Sequence, residues 1–181
     1  MIYRFVSAAV ATTILGFSTS ALSQGPTESE AADFVQRFCQ TLVPDVAVYD
    51  PNAPGVWPTD DPAVFGPLAT PELAAAIEEA LARNAAFEDE TGGKGLLGDG
   101  VPWTSVQDAA SACTAGSVAG TPERPEVEIH YRYADAPDMG WVDTIILARY
   151  EQEWRVDDIE YGNDGSDFSL RTALAQAIDQ Q

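Results

Sequence analysis

The chain is poor in cations: Lys and Arg together number 9 against 29 Asp and Glu, and Lys94 is the only lysine. The formal charge of −20 disfavours nucleic acid and anionic lipid as partners, because both are polyanions that need Lys and Arg to release their counterions. A single histidine, His130, removes any mechanism or common zinc site that needs two imidazoles. No apolar run reaches the ~20 residues that a membrane-spanning helix requires. No serine sits in a glycine-flanked elbow, and phosphate-binding loops and metal-ligand clusters are equally missing, so neither a cofactor nor a metal is called for.

What is present begins with export. Arg4, the short apolar stretch from Phe5 to Phe17 and the small residues Ala21 and Ser23 read as a secretory signal peptide over residues 1–23, cleaved before Gln24. The stretch is too short to span a bilayer, and no cysteine at the cleavage point offers a lipid anchor, so a periplasmic or secreted protein without an integral membrane segment is expected. Residues 24–181 then make one domain of about 160 residues, enough for a single core. In an oxidising compartment the only two cysteines, Cys39 and Cys113, allow one intrachain bridge; two buried free thiols are the other reading. A bridge would close a long loop and contribute on the order of 4 kcal/mol.

Thr27 and Glu30 have capping-box spacing, and Ala31, Phe34, Val35, Phe38 and Leu42 follow the three-four rhythm of one buried helical stripe that ends at Pro44. Six prolines between Pro44 and Pro67 predict an ordered loop without a helix or inner strand, pinned by Trp57 and Phe65. Thr70, Pro71 and Glu72 start a second helix, with Leu73, Ile77 and Leu81 on its buried edge, and five glycines between Thr91 and Gly100 mark a flexible connector.

From Val127 to Tyr133 apolar residues alternate with polar ones, which predicts a half-buried strand. Trp141 to Tyr150 is apolar on both faces and belongs in the middle of a sheet. Glu151 to Glu153 turns the chain into a third strand whose parity switches between Val156 and Ile159, the mark of a bulge at Asp157 and Asp158. After a turn from Gly162 to Asp167, with Ser166 or Asp167 as the cap, Leu170, Ala173, Leu174, Ala177 and Ile178 predict a closing helix. The fold class is therefore α+β: N-terminal helices on a curved antiparallel sheet, with a short C-terminal helix.

This order, together with Gly98 to Asp108 and the later run Trp154 to Ile159, resembles an exported bacterial family of unknown function within the cone-shaped superfamily named after nuclear transport factor two. The resemblance implies a fold in which helices close over a concave sheet. It implies an activity far less, because that shape serves isomerases, dehydratases, inhibitors, immunity proteins and binding modules.

Three groups of residues could carry chemistry. His130 and Asp143 on neighbouring strands form an acid-base pair, tuned by Glu128 or Arg132, if their face lines the cone; they form a solvated salt-bridge ladder if it faces water. Asp99, Trp103, Gln107 and Asp108 can bind an apolar or sugar-like ligand, or Trp103 can anchor a loop. Asp157, Asp158, Glu160, Asn163, Asp164 and Asp167 offer oxygen donors suited to calcium, or equally turn and cap residues. The leading expectation is a non-enzymatic exported binding or inhibitory, immunity-like domain, with a protein partner or a small apolar ligand. The rival is a cofactor-free pocket enzyme that moves a proton with His130 and Asp143. The doubly apolar strand also raises a homodimer, with either the last helix or a second subunit covering the outer face.

Overall fold

The computed structural model describes residues 24–43, 58–98, 100–106, 110–133, 135–136, 138–162 and 168–180. The leader, Trp57, Asp99, Gln107, Asp108 and the turn at 163–167 lie outside them.

Helix α1, Glu28–Leu42, starts on the predicted capping box: the Thr27 hydroxyl accepts the Glu30 amide at 3.2 Å while the Glu30 carboxylate accepts the Thr27 amide at 2.8 Å. These bonds to Thr27 hold the Glu30 carboxyl below its ordinary range. All five residues of the predicted stripe are buried. The proline-rich segment departs from expectation in its second half, where Pro58–Asp60 forms a 3-10 turn and α2 spans Pro62–Phe65. Asp61 caps α2 through the Ala63 amide, and Pro62 takes the first helical position, where a missing N–H is harmless. Phe65 is fully buried, as expected of a loop pin.

Helix α3, Pro71–Thr91, opens on the Thr70 cap and closes at Gly92, whose φ of 68° is left-handed. It buries Leu73 and Ile77 but leaves Leu81 half-exposed. The sheet is an antiparallel meander ordered β1-β2-β3-β4: Ala112–Gly120, Pro125–Arg132, Gly140–Tyr150 and Glu153–Glu160. The doubly apolar strand, β3, lies in the interior of the sheet, as expected. A two-residue turn, Glu151 and Gln152, both at positive φ, links it to β4. Ile146 pairs with Asp158 and Leu147 with Val156, so Asp157 is the extra residue of the predicted bulge. Helix α4, Leu170–Asp179, is capped by Ser169 rather than by Ser166 or Asp167. The hydroxyl two or three residues further on can reach the Thr172 amide.

The strand β1 was not foreseen. Its residues are small and only half-buried, so no alternation of large apolar side chains announces it. Helix α1 packs on β1, α3 packs on α4, and both α3 and α4 reach β4. One cluster of buried residues joins these elements, from Phe34 and Phe38 through Ile129 and Ile145 to Leu174.

Candidate functional site

Register decides the fate of the predicted catalytic pair. Ile129 pairs with Asp143 and His130 with Val142, and residues opposite one another on adjacent strands share a face. Asp143 therefore lies on the core side with Ile129, fully buried, while His130 lies on the outer side with Val142, half-exposed. The two side chains are separated by the sheet and do not converge.

Each acts locally instead. The Asp143 carboxylate accepts the Ser105 amide at 2.9 Å and the Gly162 amide at 3.1 Å, tying two segments to β3. Tyr131 and Tyr161 share its surroundings, and burial, followed by the Asp143 charge, pushes both phenols up. The Tyr161 hydroxyl donates to the Pro102 carbonyl. On the outer face, His130 Nε2 lies 3.5 Å from Glu128 Oε2, which also accepts the Ser117 amide at 3.2 Å. Hydrogen bonds from Ser117, then the nearby His130 imidazole, hold the Glu128 carboxyl below its ordinary range. A Cβ at Gly116 would come 2.3 Å from His130 Nε2 and 2.9 Å from Glu128 Cβ, so a side chain there would displace the imidazole. Arg132, at the end of the same strand, is exposed.

Trp103 is a loop anchor. It is buried, its indole N–H donates to the Thr59 carbonyl at 2.9 Å, and its ring meets Phe38 edge-on and Phe65 at a tilt. The acidic run after Val156 is likewise structural in its described part. Asp157 pairs with Arg171 at 2.6 Å, Asp158 accepts the Ile159 and Arg171 amides, and Glu160 lies 3.9 Å from Arg124. Among the described residues no group of three His, Cys, Asp or Glu side chains could hold a metal ion.

A recess of about 190 Å³ lies beside His130, Arg132, Asp138 and Met139, and two larger ones are lined by other described residues. One, of about 370 Å³, lies between α3 and the glycine-rich connector, beside Asp60, Asn84, Glu88 and Lys94. Its polar groups fasten the connector: Asp60 accepts the Val101 amide, Asn84 the Leu97 amide and Glu88 the Gly95 amide. Burial raises the Asp60 carboxyl. Gly95 permits this approach, since a Cβ there would come 2.0 Å from Asn84 Oδ1.

The other, larger at about 770 Å³, is a groove between α1 and β1. Ala32, Val35, Gln36, Gln40 and Val43 form one wall and Ser111 to Ala115 the other, with the Cys39–Cys113 disulfide joining them across a Cα–Cα distance of 5.9 Å. Among the described residues no Asp, Glu, His, Lys or Arg lines it. Its described side chains can grip a ligand by shape, apolar contact and hydrogen bonds to amide and hydroxyl groups. None of the residues singled out from the sequence for binding lies here; only the predicted disulfide pointed to it.

No family model, curated protein or solved structure matches this chain.

Proposed function

We propose that this protein is a non-enzymatic binding domain that works outside the cytoplasm and receives a protein partner in the groove between α1 and β1. The observation that carries this reading is the groove itself, a recess of about 770 Å³ whose two walls are clamped by a disulfide and whose described lining carries no carboxylate, imidazole, amine or guanidinium. The disulfide suits an oxidising compartment, and with the leader sequence it supports a periplasmic or secreted location. An inhibitory or immunity-like role, in which the acidic body blocks a basic envelope protein, is one form of this reading. The helices followed by a four-stranded meander with a bulged last strand support a kinship with the cone-shaped superfamily. The proton-transfer alternative loses its geometric ground, since His130 and Asp143 lie on opposite faces.

Site-specific photo-crosslinking tests the reading. A benzophenone side chain at Gln36, on the groove, is compared in envelope extract with one at exposed Glu79 on α3. A discrete adduct from Gln36 that is missing from Glu79, and that disappears when Ala32→Trp fills the groove, is the expected outcome. No adduct from Gln36, or the same adducts from both positions, would overturn the proposal.

A further inference from the structure

We infer that Tyr131 and Trp141 are the polar contacts of a second binding site, which takes a small uncharged molecule through a carbonyl oxygen. This goes beyond the reading of the groove and does not depend on it. Register sets Cys113, Tyr131 and Trp141 in one row across the core face of the sheet, with Ala115, Ile129 and Asp143 in the next. The Tyr131 and Trp141 rings stack at 4.9 Å, and Tyr133 meets Trp141 at 5.4 Å. Both stacked residues are buried, at 1 % and 6 % exposure, yet among the described residues the Tyr131 hydroxyl and the Trp141 indole N–H find no hydrogen-bond partner. A buried donor without an acceptor costs the full desolvation of that group, so two of them on one stacked pair demand a reason.

The polar groups beside them are satisfied. Asp143 accepts the Ser105 amide with one carboxylate oxygen and the Gly162 amide with the other, and the Tyr161 hydroxyl donates to the Pro102 carbonyl. Trp154 also has an unpaired N–H, but it lies toward the other end of β3, with the Arg149 guanidinium 5.0 Å from its ring. Tyr131 and Trp141 in addition line the recess of about 190 Å³ at the β2–β3 end, so a small molecule need not cross the aliphatic core to reach them. At roughly 30 Å³ per water that recess holds the equivalent of about six, which sets the ligand at the size of a small ring.

Two donors select a ligand atom that accepts, and the charges nearby select a neutral one. Burial first, and then the Asp143 charge, push the Tyr131 phenol up, so it stays a donor at any physiological pH. The same carboxylate repels an anion, and a cation has nothing to accept from an O–H or an N–H. His130, Arg132 and Asp138 bring both signs to the recess, so its lining calls for no charged ligand either. A ketone, aldehyde, ester or amide carbonyl meets these conditions, with its apolar body against the aromatic rings.

The test begins with the oxidised mature protein and no added ligand. Tyr131→Phe keeps the ring and removes only the hydroxyl, so the variant should unfold at the same urea midpoint as the parent or at a higher one. A lower midpoint would mean that the hydroxyl already has a partner, and would overturn the inference. Isotopically labelled protein is then titrated with cyclohexanone while the Trp141 indole N–H resonance, assigned by its loss in Trp141→Phe, is followed. Saturable movement at millimolar ketone is expected, with affinity at least about fivefold weaker in Tyr131→Phe, the worth of one hydrogen bond. Cyclohexene, a ring of similar size without an acceptor, and cyclohexanecarboxylate, which carries a charge, should bind far more weakly. No saturable movement, or equal affinity of the parent and Tyr131→Phe, would overturn the inference. Ala32→Trp, which fills the groove, should leave the affinity for cyclohexanone unchanged; a loss there would place the ketone in the groove and overturn the inference too.

Discussion

Along β4 the outer backbone is closed by the chain's own segments at Leu68 to Thr70 and at Ser169, and the bulge at Asp157 is strapped to α4 by Arg171. Along β1 the outer backbone has no such cover among the described residues; what holds that strand is β2 on one side and a covalent link to α1 on its face. The β4 edge is fastened by several weak bonds, whereas β1 is held by its ladder to β2 and by one covalent link.

The sharpest way to break this contrast is to remove the covalent link. Reducing the bridge, or replacing Cys39 and Cys113 with Ser, releases a crosslink of 74 residues' separation and should lower stability by on the order of 4 kcal/mol. Denaturant midpoints of the oxidised and reduced forms measure the loss. Hydrogen exchange should locate it, with amides of β1 losing protection well before those of β3. Uniform loss across the sheet would mean that the two edges are not independently held.

Cutting the buried strap at Asp143 probes the other half of the molecule. Asp143→Ala leaves the Ser105 and Gly162 amides without their acceptor and should cost roughly 3 kcal/mol, read from thermal or denaturant unfolding. His130→Ala, on the opposite face, should change stability far less. Similar losses for both would mean that they act as one unit after all.

How much of this was legible in the sequence follows from the same contrast. The caps at Thr27 and Thr70, the stripes of α1 and α4, the alternation of β2, the interior place of β3 and the bulge at Asp157 all rest on strong local signals, and each is present. The strand β1 was invisible because Ala112, Thr114, Gly116 and Ala119 are small and exposed or half-exposed, and pattern reading depends on large side chains taking sides. The groove went unseen with it. Its two halves are 74 residues apart at the disulfide, and the predicted bridge was the one long-range signal that joined them. His130 and Asp143 were paired because adjacent strands carry both, whereas the register that sets them on opposite faces depends on the turn between β2 and β3 rather than on either strand.

A smaller effect is expected where the closed edge is strapped. Arg171→Ala removes the ion pair to Asp157, whose two side chains are about a third exposed, and should cost about 1 kcal/mol. Double substitution with Asp157→Ala should cost less than the sum of the two single changes, because the ion pair is shared, while the Arg171 bond to the Asp157 carbonyl and the Thr70 bond to the Asp157 carboxylate are each lost once.

The smallest effect concerns the bulge in β1 at Gly116 and Ser117. Glu128 accepts the Ser117 amide there, and because its carboxyl is held below its ordinary range, its bond is fully present above that range and is lost as pH falls through the lower, folded value. Acidification should therefore free Ser117 before it disturbs β3. Amide exchange or chemical shift at Ser117, followed from pH 6 downward, should show a step that Glu128→Gln abolishes, since an amide oxygen accepts at every pH. If the step survives that substitution, Glu128 does not hold the bulge. If Ser117 and Thr114 respond together, the bulge and the start of β1 move as one piece, and Glu128 holds the whole strand rather than the bulge alone.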